Sequence, residues 1–268
     1  MNCITIKRGN DGFGSQLFSI ISGIAFCMKN GFQYSHSRLE NIKLVDNNQF
    51  QNTEIELANE MIDKIIDNLG IDTKQSCKEF TFFYSQIYNE GVEFYFNDDF
   101  LNKLSDSYPN QKPETYNNGK FNIAIHVRRG DDIPQNSNSE LGKTYIDNLN
   151  ARWIKSEVYE NLINTLIDKI PNTHIHIFSW KDSGIKLNYD NITYHVTDTG
   201  DRFLRHFNHL ISADLLIVGS STFSISAGFF NKNKVICHDS LCKLQNTPIP
   251  QQWIRNYNEI INDGNSVN

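Results

Sequence analysis

The chain has 268 residues, 39% of them apolar and 12% aromatic, with 21% charged and a net charge of −6. That much apolar material supports one large or two modest cores and excludes wholesale disorder. The acidic balance argues against a general nucleic-acid binder, which needs a basic surface, and no window reaches the eighteen apolar residues of a membrane span.

Asn2 to Lys7 alternates as a short strand. Residues 9–16 follow, with three glycines and an Asn-Asp pair, and predict an irregular loop. Leu17, Ile20, Ile21, Ile24 and Met28 then recur at helical spacing, and Asn30-Gly31 supplies a stop. Phe32 to Ser35 reads as the next strand, which completes the opening of a βαβ unit. Glu54 to Leu69 predicts a helix, and Phe80 to Phe100 is aromatic and mixed. The polar, proline-bearing stretch Tyr108 to Gly119 marks a boundary, dividing the chain into 1–112 and 113–268.

Beyond the boundary the pattern is more regular. Strands are expected at Phe121–Val127, His174–Phe178, Ile192–Val196, Leu215–Val218 and Lys234–Cys237. Helices are expected at Glu157–Ile170, Asp201–Ala213 and Ser224–Phe230, with Gln251–Ile261 closing the chain. Alternation of this kind predicts a parallel sheet covered on both faces, and the whole reads as an α/β protein of two Rossmann-like halves facing a cleft.

The first residues lack the basic-then-apolar order of a signal peptide. Five scattered cysteines (Cys3, Cys27, Cys77, Cys237, Cys242), in a chain too large to need staples, predict a reduced, cytoplasmic protein. No second pair completes a zinc site with Cys237 and Cys242. His174 and His176 share a strand face, and His206 and His209 a helix face. No carboxylate or third histidine has matching spacing, so both pairs are read as structural.

Ligands in parallel sheets bind beyond the carboxyl ends of strands, where three loops stand out. The first runs His126-Val-Arg128-Arg129-Gly-Asp131-Asp132, two adjacent arginines in a chain with eight Arg against seventeen Lys. A guanidinium forks onto phosphate and keeps its charge, although an ion-pair cluster with the two aspartates would use the same residues. The second is Gly219-Ser220-Ser221-Thr222-Phe223-Ser224, hydroxyls at a helix start that serve as an anion site or as plain caps. The third is the glycine loop with Gly12, Gly14 and Gln16, either a tight turn or a substrate wall; it lacks the lysine of a phosphate-cradling loop.

These residues resemble a family. Asp11-Gly-Phe-Gly-Ser-Gln-Leu-Phe18 is similar to the G-x-G-N-Q-[LM]-F signature of the α-1,2-fucosyltransferases. His126-Val-Arg-Arg-Gly-Asp131 matches the H-x-R-R-x-D element which that family shares with α-1,6-fucosyltransferases. Asp201-Arg-Phe-Leu204 and the Ala213–Ser224 segment are similar to the family's D-x-[FY]-L and N-S-T-F-S-W-W elements, and Ile177 to Asp182 sits where it carries F-S-D-D. The resemblance implies a two-domain, GT-B-type inverting glycosyltransferase using GDP-fucose as donor, a glycan hydroxyl as acceptor and no obligatory metal. It implies that Arg128 contacts the diphosphate, that Arg129 supports that site and that His126 lines the nucleotide pocket. Ser221, Thr222 and Ser224 would meet phosphates or ribose, and Asp182 would help read the base.

Inversion needs a base for the acceptor proton. Asp131, Asp132 and Glu140 are the candidates, and Asp131 is the choice. The sequence departs from the family at Ser15 (for Asn), Trp180-Lys181 (for Asp-Asp) and Ile225-Ser226 (for Trp-Trp). The Trp180-Lys181 change keeps another nucleotide sugar open as donor, and a silent binder of nucleotide or glycan is the second alternative, against which the intact Arg128, Arg129 and Asp131 argue.

Overall fold

The computed structural model of the chain describes residues 3–6, 11–42, 52–71, 78–80, 84–109, 112–129, 152–196, 203–238 and 247–255. Two parallel sheets organise it. The first has the order β2-β1-β3, from β1 (Cys3–Ile6), β2 (Gln33–Ser35) and β3 (Lys78–Phe80). Between and after these strands come α1 (Phe13–Asn30), α2 (Asn52–Asn68), α3 (Tyr84–Glu90), α4 (Val92–Tyr95) and α5 (Asp98–Ser107).

The second sheet has five strands: β4 (Phe121–His126), β5 (Thr173–Ser179), β6 (Ile192–Val196), β7 (Leu215–Ile217) and β8 (Lys234–Ile236). Its order is β6-β5-β4-β7-β8, every pair parallel. Helices α6 (Ser156–Lys169), α7 (Phe203–Ser212) and α8 (Thr222–Phe230) connect it. The buried run Ile123-Ala124-Ile125 shows why the strands read as continuously apolar, since both faces are covered. Ile123, Ile125, Ile175 and Ile177 pack with Tyr159, Leu162, Ile163 and Leu166 of α6. Ala124, Phe178 and Leu216 face a larger core that also takes in α1, α2, α7 and α8. The α/β class with parallel sheets is as expected.

Three expectations need correcting. Helix α1 begins at Phe13, inside the stretch expected to be irregular. Phe13 is buried against Phe203, Phe207 and Phe223, and that packing outweighs the low helix propensity of Gly14. The expected closing helix is absent over 251–255. Ile254 instead adds a parallel bridge to Ile236, donating its N–H to the Val235 carbonyl and accepting from the Cys237 N–H. Trp253 is buried on Phe229 there, and residues 256–261 lie outside the described residues. Cys3 is disulfide-bonded, contrary to the reduced reading, while Cys27 and Cys237 stand outside any disulfide. Among the described residues no helix is long and apolar enough to cross a membrane.

The stretch expected as a polar boundary carries two buried rings. Tyr108 packs on Phe207 and Phe230, and Tyr116 donates its hydroxyl to the His209 carbonyl at 3.0 Å. Tyrosines with a satisfied polar tip are well suited to such anchoring.

Candidate functional site

Chain order enters the five-stranded sheet at its middle. It runs from β4 through β5 and β6 on one side, then returns to β7 and β8 on the other. The reversal falls between β4 and β7, and open parallel sheets form their ligand crevice at the carboxyl ends flanking such a switch. Two of the three loops singled out in the sequence leave the sheet there: 127–129 after β4, and 218–221 between β7 and α8.

These loops touch. A Cβ on Gly219 would lie 2.4 Å from the His126 carbonyl oxygen, so only glycine permits the approach. The Gly219 N–H donates to Ser224 Oγ at 3.2 Å, and Ser224 Oγ donates to the Ser221 carbonyl, also at 3.2 Å. The hydroxyl has no second proton, so the 3.1 Å contact with His126 must be donated by His126 Nδ1. That fixes the tautomer and leaves the lone pair on Nε2. Burial, with the charges of Arg128 and His206 nearby, lowers the His126 pKa to about 3. So weak a base is a hydrogen-bond partner rather than a proton acceptor at neutral pH.

Arg128 and Arg129 part company. Arg128 stays half-buried, close enough for its charge to act on His126. Arg129 is only 5% exposed. It donates to the carbonyls of Arg128 (2.8 Å), Ser183 (3.0 Å) and Ile154 (3.0 Å), and to Ser156 Oγ (3.2 Å). Its guanidinium lies 4.5 Å from the Trp153 ring centre and 5.9 Å from that of Tyr159. With four of its five N–H groups spent on protein acceptors, Arg129 ties three loops together and has one N–H left for any further partner. Desolvation lowers its pKa, partly countered by Tyr159 and Asp182. Asp182 is exposed and accepts from the Gly184 N–H at 2.9 Å.

Helix α8 starts at this switch point. Ser221 caps it, accepting from the Phe223 N–H at 3.3 Å, and Thr222 is its half-buried first residue. Ser224 is fully buried behind His126, so it orients the imidazole and offers no surface to a ligand. Arg152, which sequence reasoning passed over, donates Nε to the Ser220 carbonyl at 3.3 Å. The scarcity of arginine was the signal that could have found it.

The glycine loop reaches the same place. A Cβ on Gly14 would fall 2.4 Å from the Phe223 Cα, and Ser226 donates its hydroxyl to the Gly14 carbonyl at 3.0 Å. The first turns of α1 and α8 therefore abut, with Phe223 ringed by Phe13, Phe207 and His126. Gln16 is buried and spends its amide on the carbonyls of Asp11 and Asn41, both at 2.7 Å. Gly12 caps α1 and donates its N–H to the Asp11 carboxylate at 2.7 Å. Gly12 and Gln16 thus hold the loop in shape. Asp131, Asp132 and Glu140 lie outside the described residues.

The two histidine pairs, separate in sequence, meet in one cluster. Asn122 Nδ2 is committed to the Lys120 carbonyl, so Asn122 Oδ1 accepts from His176 Nε2 at 3.2 Å. His176 Nδ1 then accepts from His195 Nε2 at 3.0 Å. His209 donates Nδ1–H to the Arg205 carbonyl at 2.7 Å, and His195 stacks on Phe178 with ring centres 4.3 Å apart. Desolvation leads the lowering of His174, His176, His195 and His209, with His176 and His195 near 3. Among the described residues no group of three or more His, Cys, Asp or Glu could hold a metal ion.

No protein-family model and no curated protein matches the chain. Its fold is similar to a mutant of Arabidopsis thaliana FUT1 in complex with GDP, at 12% identity and TM-score 0.44, covering 87% of this chain and 69% of that one. It is also similar to NodZ α-1,6-fucosyltransferase soaked with GDP-fucose (11%, TM-score 0.43, 86% and 93%). A third likeness is to fucosyltransferase NodZ from Bradyrhizobium (10%, TM-score 0.42, 85% and 92%). At such identity and overlap, these likenesses assign the chain neither family nor activity.

Proposed function

We propose that the chain is an inverting glycosyltransferase of the GT-B type. In this reading, residues 113–268 hold a nucleotide sugar, residues 1–112 present the acceptor, and fucose passes from GDP-fucose to a glycan hydroxyl. The observation that carries the reading is the convergence at one switch point of Arg128, the start of α8 and the glycine-loop end of α1. Helix N-termini and a fixed guanidinium are what a departing diphosphate requires.

The acceptor oxygen attacks the anomeric carbon in line with the leaving group. The bond to the diphosphate oxygen breaks, GDP departs with the electron pair, and the acceptor proton passes to a base, for which Asp131 is our assignment. Arg128 supplies permanent charge to the leaving diphosphate, so no metal ion is required in this scheme. His126, neutral with its lone pair on Nε2, accepts a hydrogen bond from the nucleotide.

The test is GDP release from GDP-fucose in the presence of a glycan panel, with and without EDTA, beside UDP- and CMP-sugars as competing donors. Acceptor-dependent GDP release that survives EDTA is expected. Turnover with another nucleotide sugar alone would move the donor assignment, favoured then by the Trp180-Lys181 departure. Binding without any turnover would leave a silent binder.

A further inference from the structure

Trp153 is the exposed tryptophan of three. It keeps 44% of its surface in solvent, whereas Trp253 is buried and Trp180 packs half-buried against the core. A singly exposed aromatic is ordinary, but this one is held. Arg129 lies under one face at 4.5 Å. The residue before it, Arg152, is tied to the Ser220 carbonyl, and the residue after it, buried Ile154, accepts from Arg129. An indole fixed on both sides and open to water presents a flat surface without further loss of side-chain freedom on binding.

We propose that Trp153 is the stacking surface for the purine base of the nucleotide, an inference that rests on the glycosyltransferase reading. Position favours a base. Arg152 reaches the loop that caps α8, and Arg129 donates to the Arg128 carbonyl at 2.8 Å. The indole is therefore coupled to both groups assigned to the diphosphate, on the half of the chain that holds the donor. Electronics favour a base over a sugar as well. A guanidinium on the inner face draws π density toward itself, so the outer face suits an electron-rich flat ring better than the C–H groups of a pyranose.

The test titrates the full chain and its W153L and W153F variants with GDP and with inorganic pyrophosphate, by calorimetry, after matching their melting temperatures to the parent. W153L keeps apolar bulk but no ring and should lose about tenfold in GDP affinity, the scale of one base–aromatic stack. W153F should lose less. Pyrophosphate affinity should not change in either variant. Unchanged GDP affinity in W153L, or an equal loss for both ligands, would overturn the proposal, as would a raised acceptor KM with GDP binding intact. A parent chain that binds neither ligand would overturn the glycosyltransferase reading itself.

Discussion

At the residue scale, Arg128 and Arg129 are neighbours with different work, and each has its own readout. In the proposed reaction, charge on the diphosphate would grow as the sugar bond breaks, and only the growing part of an interaction accelerates chemistry. Arg128→Ala should therefore lower kcat more than it weakens GDP binding, with little rescue by lysine, which lacks the fork. Steady-state kinetics beside GDP titration check this, and wild-type turnover would remove Arg128 from the reaction. Arg129→Ala instead strips a charged donor from three carbonyls and a hydroxyl. It should cost ~3 kcal/mol of stability in urea unfolding, since bonds to charged groups contribute strongly and orphaned acceptors add their own penalty. Ser224→Ala should weaken GDP binding both through His126 and through the 219–221 loop that its hydroxyl braces, so in a His126→Ala background the same change should cost less but not nothing.

At the element scale, the crossing of α1 on α8 joins the two sheets' helices, and Gly14 makes it possible. A methyl at position 14 would overlap the Phe223 backbone at 2.4 Å, where no flexible side-chain end can yield. Gly14→Ala should destabilise by about 2 kcal/mol through forced separation of the helices. It should also weaken nucleotide binding, because Phe223 lies between Phe13 and His126. Urea unfolding and GDP titration of one preparation measure both. A stable variant with normal affinity would show that the crossing can relax.

At the scale of the whole molecule, the histidine cluster sets a direction for pH dependence. His176 is 2% exposed and faces His174, His195, His209, Asn122 and Tyr116, with Lys120 near His174 and Arg205 beside His195 and His209. Its pKa falls from 6.5 to about 3 on folding. Between those values the unfolded chain binds more protons, so this stability is complete above pH 6.5 and is lost as pH falls toward 3. From pH 7.5 to 5, His176 alone should account for a loss on the order of 2 kcal/mol. His176→Gln should flatten that part of the urea-denaturation profile, and identical slopes in parent and variant would refute the assignment.

Much of this architecture is legible in the sequence because its causes are local. Apolar runs of strand length alternating with amphipathic segments favour a parallel sheet, and β4 to β8 lie close to where their patterns put them, with β6 as an exposed edge. The arginine pair and the Ser-Thr loop are likewise visible as scarce or hydroxyl-rich residues at strand ends. What the sequence leaves undetermined are the meetings. No periodicity shows that Phe13 will find three other phenylalanines and draw helix α1 back through Gly14, or that Ile254 will pair with β8 rather than continue a helix. Arg129 reads like Arg128 until the loops at 154 and 183 bring their carbonyls to it. His174 and His176 reach His195 only when β6 pairs beside β5, and His209 only when α7 packs on that face. Spacing along a chain determines which face a residue occupies; which faces come together is decided by burial of the whole apolar surface at once, and only the tertiary structure records it.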